Sequence, residues 1–209
     1  KDKKDGETRT PDTSYTEYLE QDSQKVPDFM MEESFEFLGS ENIPMDRYTS
    51  EEFFQKEAEC MWTRVWQFAC RVEDIPEVGD SLVYDILDYS FLIIRTDKDT
   101  IKGYYNSCLH RGRKIRTERS FSKDLECPFH GFCWNLDGTL KHTPAEWDFP
   151  HVKAEEWKLP EVRVELWEGF VFINMDDNAQ SLFDFLDPLP EHHKRWNLEN
   201  CKKVIHVSK

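Results

Sequence analysis

Two short residue pairs constrain this chain more than any other feature. Cys108-Leu109-His110 is followed, after sixteen intervening residues, by Cys127-Pro128-Phe129-His130. Each pair supplies one sulfur and one imidazole nitrogen. Two hairpin-like loops meeting tip to tip would gather these side chains into a metal centre of mixed ligation, so the scaffold must hold two loops side by side. The flanks read NSCLHRG from Asn106 to Gly112 and ECPFHGFCW from Glu126 to Trp134.

Three other readings compete. Tetrahedral zinc also accepts two Cys and two His, but finger-type spacing pairs Cys with Cys and His with His, whereas both pairs here are mixed. Buried free Cys is common in cores, so coincidental core residues are the bland alternative. A Cys108–Cys127 disulfide is disfavoured in a chain without secretory features. Cys60, Cys70, Cys133 and Cys201 show no ligand-like spacing among themselves and are read as ordinary thiols.

The apolar pattern predicts a β scaffold around the pairs. Residues 1 to about 25 are polar and without a convincing period, and Val26–Leu38 mixes apolar and acidic residues as a short helix or an arm on a partner surface. Thr49 and Glu52 form a capping-box pattern ahead of apolar residues at helical spacing, which predicts a helix over 51–63. Trp66 and Phe68 open a strand. Further strands are predicted at 81–86, 91–95, 101–105, 125–127, 132–135, 139–140, 162–166 and 170–173. Turns fall at Asp88–Ser90, Asp97–Thr100, Asp137-Gly138 and Glu168-Gly169. This spacing indicates an all-β sandwich or partial barrel. Ser181–Trp196 reads as short helices broken by Pro188 and Pro190, and Cys201–Lys209 as the start of a new strand. A chain opening at Lys1 and stopping without a closing element is expected to be part of a longer protein.

Length and charge narrow the function. The 209 residues allow one good core and the start of a second, with seven Trp and fifteen Phe to fill them. The net charge of −15 argues against nucleic acid as a partner. The longest apolar run, Phe91–Ile94, is far too short to span a membrane, and no N-terminal apolar segment of this sequence resembles a secretory signal. Residues 1–60 hold 17 acidic and 7 basic residues, a net of −10. Against that background Arg111, Arg113, Lys114, Arg116 and Arg119 crowd beside the first pair. Such a basic face would steer an acidic partner; pairing with neighbouring carboxylates or subunits is the other reading.

Taken with their flanks, the two pairs resemble the Rieske [2Fe–2S] signature, and the basic residues after His110 resemble its oxygenase branch. The order of helix, strands, CxH loop, CxxH loop, HGFCWNLDG hairpin and GFVFINMD strand is similar to the N-terminal half of a Rieske non-haem iron oxygenase α subunit of the aromatic-ring-hydroxylating dioxygenase type, over about residues 44–209. The resemblance implies a mainly β Rieske [2Fe–2S] domain, an antiparallel sandwich or partial barrel with two cluster-binding loops. A helix precedes it and the start of an α+β catalytic domain follows. It divides the chain into a flexible or partner-bound arm (1–45), an N-terminal helix (46–66), the Rieske domain (67–177) and a connector with the truncated start of a catalytic domain (178–209).

In that family Cys108 and Cys127 would ligate one iron, and His110 and His130 the other. Two thiolates and two neutral imidazoles leave the oxidised site uncharged where four thiolates would make it a dianion, so the centre is easier to reduce. Respiratory Rieske proteins carry a second Cys in each loop; here those positions are Arg113 and Phe129, which points to the lower-potential, cytosolic oxygenase or ferredoxin type. Backbone N–H groups around Gly112 and Gly131 are candidates for bonding the cluster sulfurs.

What the family implies for function is electron transfer within an oxygenase that hydroxylates an organic substrate, aromatic or apolar, with O2 and NAD(P)H-derived electrons. Quaternary-amine oxygenases belong to the same broad family. The implied partners are a ferredoxin or flavin/iron–sulfur reductase as donor and further copies of the chain, a trimer, with a β subunit in some members. The implied location is the bacterial cytoplasm. A mononuclear non-haem Fe(II) needs two His and a carboxylate. Glu191-His192-His193 is the one tempting group, but adjacent helical side chains do not face one site. His142, His151 and His206 are isolated. No catalytic residues are therefore assigned in this chain, and that iron is expected in a catalytic domain beyond Lys209. The alternatives are a stand-alone Rieske ferredoxin-type carrier and a zinc-stabilised interaction module.

Overall fold

The computed structural model describes residues 15–32, 41–205 and 207. Four short helices precede the sheet: α1 (Tyr15–Glu20), α2 (Asp28–Met31), α3 (Asp46–Thr49) and α4 (Glu51–Glu57). α1 falls in a stretch whose sequence has no helical period; the rest of the N-terminal expectation, at residues 1–14 and 33–40, lies outside the described residues. The cap of α4 is Ser50 rather than Thr49. Ser50 is extended (φ −84°, ψ 121°) and its Oγ accepts from the Phe53 N–H at 3.2 Å. Thr49 closes the preceding turn, its hydroxyl donating to the Met45 carbonyl. A cap must sit where the backbone leaves the helical region, and the break between α3 and α4 is at Ser50. The helix predicted to residue 63 ends as a widened π turn over Ala58–Trp62, with the Thr63 hydroxyl donating to the carbonyls of Ala58 and Glu59.

The predicted strands appear in chain order: β1 (Gln67–Arg71), β2 (Asp80–Ile86), β3 (Tyr89–Asp97), β4 (Thr100–Tyr105), β5 (Ser120–Phe121), β6 (Leu125–Glu126), β7 (Cys133–Trp134), β8 (Leu140–His142), β9 (Glu161–Trp167) and β10 (Phe170–Asn174). β5 was not anticipated; two residues are too few to show alternation. The Asp88–Ser90 turn is shifted. Its bend is at Leu87 (φ 51°) and Asp88, and Tyr89 already pairs with Ile86. Seven strands form an antiparallel sheet in the order β1-β10-β9-β4-β3-β2-β5, a curled half-barrel, beside a small sheet β6-β7-β8.

β3 shows why the apolar run at its centre is unbroken. Phe91, Leu92, Ile93, Ile94 and Arg95 are all buried, because both faces of the strand are covered. Side chains alternate between faces, so the run feeds two cores. Leu92 and Ile94 join Tyr104, Ile115, Leu125, Phe132, Trp134 and Leu159 around Cys108 and Cys127. Phe91 and Ile93 join Ile75, Ile101, Val162, Val171 and Ile173 on the opposite side. The first core is the floor on which both Cys-and-His pairs rest.

After β10 the chain forms α5 (Leu182–Leu186), capped by Ser181, and α6 (Leu189–His193). Pro190 lies in the first turn of α6, where its missing N–H costs nothing. Leu182 and Leu186 pack on Trp66, whose indole N–H donates to the Gln180 carbonyl at 3.0 Å. Arg195 forks onto the Asp22 carboxylate, tying the segment after α6 to the stretch between α1 and α2. Residues 201–205 form no strand; His206 lies outside the described residues.

Candidate metal centre

The two pairs sit on loops that leave different sheets. The first loop follows β4 of the large sheet; the second joins β6 to β7 of the small one. Both close with the same backbone hydrogen bonds. The Cys108 N–H donates to the Arg113 carbonyl (2.8 Å) and the Gly112 N–H to the Cys108 carbonyl (2.8 Å). The Cys127 N–H donates to the Phe132 carbonyl (2.8 Å) and the Gly131 N–H to the Cys127 carbonyl (3.0 Å). Each Gly stands four residues after its Cys with positive φ, 70° at Gly112 and 76° at Gly131, a conformation costly for any residue with a Cβ. The N–H groups of Gly112 and Gly131 are themselves spent on closing the loops, which leaves their neighbours, Arg111 beside Gly112 among them, to face sulfur. The backbone N–H groups of His110 and Arg111 lie near enough to the Cys108 sulfur to favour its anion.

The side chains come together two by two. Cys108 and Cys127 are buried, at 3% and 2% exposure, and their thiols are close enough to influence each other's ionisation. Burial, and then the neighbouring Cys127, push the Cys108 thiol up, opposed by the His110 and Arg111 N–H groups. The imidazoles of His110 and His130 lie with centroids 4.9 Å apart. His110 stacks on Phe132 (4.8 Å) and meets the edge of Phe149 (5.6 Å). Its Nδ1 is buried without a hydrogen-bond partner among the described residues. A buried polar nitrogen left unpaired costs about 1–3 kcal/mol; among the described residues His192 Nδ1 is the other such atom. Burial, with His130 and Arg111 beside it, lowers the His110 pKa and so favours the neutral, metal-binding form. Paired sulfurs, paired imidazoles and an orphaned nitrogen fit a two-iron, two-sulfide group. Among the described residues no three Cys, His, Asp or Glu side chains are gathered to hold a single ion.

The basic cluster divides on inspection. Arg111 and Arg113 are exposed and have no ion pair among the described residues. Lys114 is paired with Asp85 (2.9 Å). Arg116 turns inward and spends its guanidinium on Ile115, Ser122, Asp124 and Glu126, so it is not part of a docking face. Beside Arg111 and Arg113, Leu109 and Phe129 (60% exposed) stand at the loop tips.

The remaining candidates lie elsewhere. Glu191 pairs with Lys194 (2.8 Å), while His192 and His193 pack on each other and on Trp196. His142 ends β8, and His151 packs near Phe149 and Trp157. Cys70 is buried and pushed up to about 12 by desolvation and then Asp74; burial likewise raises Cys133. Neither is a reactive thiol. Sequence reasoning missed the aromatic wall behind His110. Phe149 and Trp157 come from the irregular segment between β8 and β9 and pack on Phe132 at 5.3 and 5.6 Å; their only signal was large aromatics in a stretch with no period.

A protein-family model described as the Rieske [2Fe-2S] domain matches residues 65–154. This segment is a Rieske domain. The cofactor of such a domain is a [2Fe–2S] cluster. The Rieske domain and its flanks are similar to the carnitine monooxygenase oxygenase subunit of Escherichia coli (strain K12), at 31% identity over 78% of this chain and 44% of that one. They are also similar to the 2-aminobenzenesulfonate 2,3-dioxygenase subunit alpha of Alcaligenes sp, at 32% identity over 79% and 44%. Among solved structures, a quaternary ammonium Rieske monooxygenase in its apo form aligns with TM-score 0.69 and 26% identity over 74% of this chain and 45% of that one. Naphthalene 1,2-dioxygenase from Rhodococcus sp. aligns with TM-score 0.67 and 30% identity over 71% and 34%. The chain spans under half the length of these relatives.

Proposed function

We propose that Cys108 and Cys127 ligate one iron of the cluster and His110 and His130 the other, and that the chain is the electron-entry part of an oxygenase subunit. The observation that carries this reading is the matched closure of two loops that brings two buried thiols close together and leaves His110 Nδ1 buried and unpaired. A bound [2Fe–2S] group supplies one-electron storage at a raised potential. The chain's own residues do the rest. Cys108 and Cys127 give up their protons on ligation. The N–H groups of His110 and Arg111 stabilise negative charge on the Cys108 sulfur. Phe132 and Phe149 exclude water on the His110 side, while the exposed His130 faces outward as the shorter route to a partner.

The same reading assigns the rest of the enzyme. A ferredoxin or flavin/iron–sulfur reductase delivers electrons, and Arg111 and Arg113 steer its acidic face. The O2-activating mononuclear iron belongs to the part of the relatives that this chain does not span. Further copies of the chain complete an oligomer, a trimer in the form we favour, in the bacterial cytoplasm. Among the described residues no helix is long and apolar enough to cross a membrane. The substrate is an organic compound. Relatives named for carnitine and for 2-aminobenzenesulfonate match almost equally, at 31% and 32%, so the electron step is common to both and the choice between quaternary amine and aromatic ring is made elsewhere.

Electron paramagnetic resonance of the dithionite-reduced protein, with iron and sulfide counted on the same sample, tests the assignment. A Rieske-type signal with about two irons and two sulfides per chain supports it. Zinc without sulfide would replace it with an interaction module.

A further inference from the structure

We propose that Arg116 is a positioning residue that sets the spacing of the two ligand loops; the proposal rests on the two-iron reading above. The chain of contacts begins at Asn106, two residues before Cys108 and only 1% exposed. Its Oδ1 accepts from the N–H groups of Ile115 (2.9 Å) and Arg116 (3.0 Å). Its Nδ2 donates to the Arg116 carbonyl (2.7 Å) and the Ser90 hydroxyl (3.1 Å). Those four bonds use the whole capacity of the amide. They close the base of the first loop and lock the Arg116 backbone.

The Arg116 side chain then crosses to the second loop. Nη1 donates to the carbonyls of Ile115 (2.9 Å) and Glu126 (2.8 Å). Nη2 donates to the Ser122 hydroxyl (3.1 Å) and the Asp124 carbonyl (3.0 Å). Glu126 is the residue immediately before Cys127. Hydrogen bonds therefore run unbroken from the entry of one ligand loop to the entry of the other. Between residues 116 and 126 the regular structure is limited to the two-residue strands β5 and β6, which tie this excursion to β2 and β7; the Arg116 guanidinium ties it to the first loop. A planar guanidinium can serve four acceptors in a fixed fork, whereas a lysine ammonium is a point charge on a flexible stem. The role therefore requires Arg by shape, beyond its charge.

The test uses the cluster-loaded protein and its Arg116→Lys, Arg116→Met and Ser122→Ala variants, with Lys114→Met as the neighbouring control. The readouts are the width of the reduced-cluster resonance and the rate of iron loss to a chelator. Both Arg116 variants should broaden the resonance and speed iron loss about tenfold, as expected for lost charged hydrogen bonds, with Lys no better than Met. Ser122→Ala should speed loss roughly two- to threefold, as for one such bond, and Lys114→Met should match the parent. A parent-like Arg116→Lys would overturn the proposal, because charge alone would then suffice. If the Arg116 variants fail to fold, a parent-like Ser122→Ala overturns it equally. A parent protein without a Rieske-type signal would instead overturn the two-iron reading beneath it.

Discussion

The two ligand loops use one backbone device and build two different surroundings with it. In each, the Cys N–H bonds the carbonyl five residues on, and a positive-φ Gly bonds back to the Cys carbonyl. The His is two residues after Cys108 but three after Cys127. That one-residue difference within a common frame sends His110 against Phe132 and Phe149 and leaves His130 exposed beside Phe129. Loop closure and ligand exposure are thus set separately: the first by the backbone, the second by where along it the imidazole is attached.

The largest test of that equivalence is removal of a ligand. Cys127→Ala should empty the site of both irons, because binding is coupled to the loop fold; iron and sulfide content comparable to the parent would show that the loops are not equal partners. Next comes the asymmetry of packing. Phe132→Ala should cost about 3–5 kcal/mol in a denaturant melt, whereas Phe129→Ala, at a 60% exposed position, should stay within about 0.5 kcal/mol. Similar losses at both would erase the contrast between the inner and outer sides of the centre.

The glycines sharpen the comparison further. Alanine at either should cost about 1–2 kcal/mol for its left-handed backbone. Gly131→Ala should be the worse of the two, since a Cβ there meets Pro144 Cγ at 3.3 Å, while at Gly112 the nearest atom is Ser107 Oγ at 3.8 Å. Equal melting points would mean that φ alone decides. The smallest structural effect is expected outside the loops' frame. Reversing Arg111 and Arg113 to Glu together should leave the melt unchanged, slow reduction by an acidic donor roughly tenfold at low salt, and flatten its salt dependence. Stopped-flow reduction at two ionic strengths would show it, and an unchanged rate would remove the steering role.

The two Cys-and-His pairs were legible because their pattern is local: each pair spans three or four residues, and its Gly follows at a fixed offset. The strands were legible because alternation over β2 and β9 reports one covered face and β10 is a short apolar run after a turn. The dense run in β3 was legible as a strand, but the feature that distinguishes it, two cores fed from opposite faces, was not. The cap at Ser50 was missed by one residue because Thr49 offers the same hydroxyl and the sequence does not show where α3 ends. Arg116 was misread as part of a basic face, since nothing in ERS or RKIRT marks which cation turns inward.

By itself, then, the sequence determined the two Cys-and-His pairs, a glycine four residues after each Cys, and the β scaffold. These follow from residue identity and short-range spacing. Only the tertiary structure decided that the glycine N–H groups close turns, that Phe149 and Trp157 wall the His110 side, and that Arg116 bridges the loops while Arg111 and Arg113 stay exposed. Each of those outcomes depends on which carbonyls and rings a side chain meets from distant parts of the chain. Backbone carbonyls are the same at every residue, so no sequence pattern records which of them a guanidinium will find.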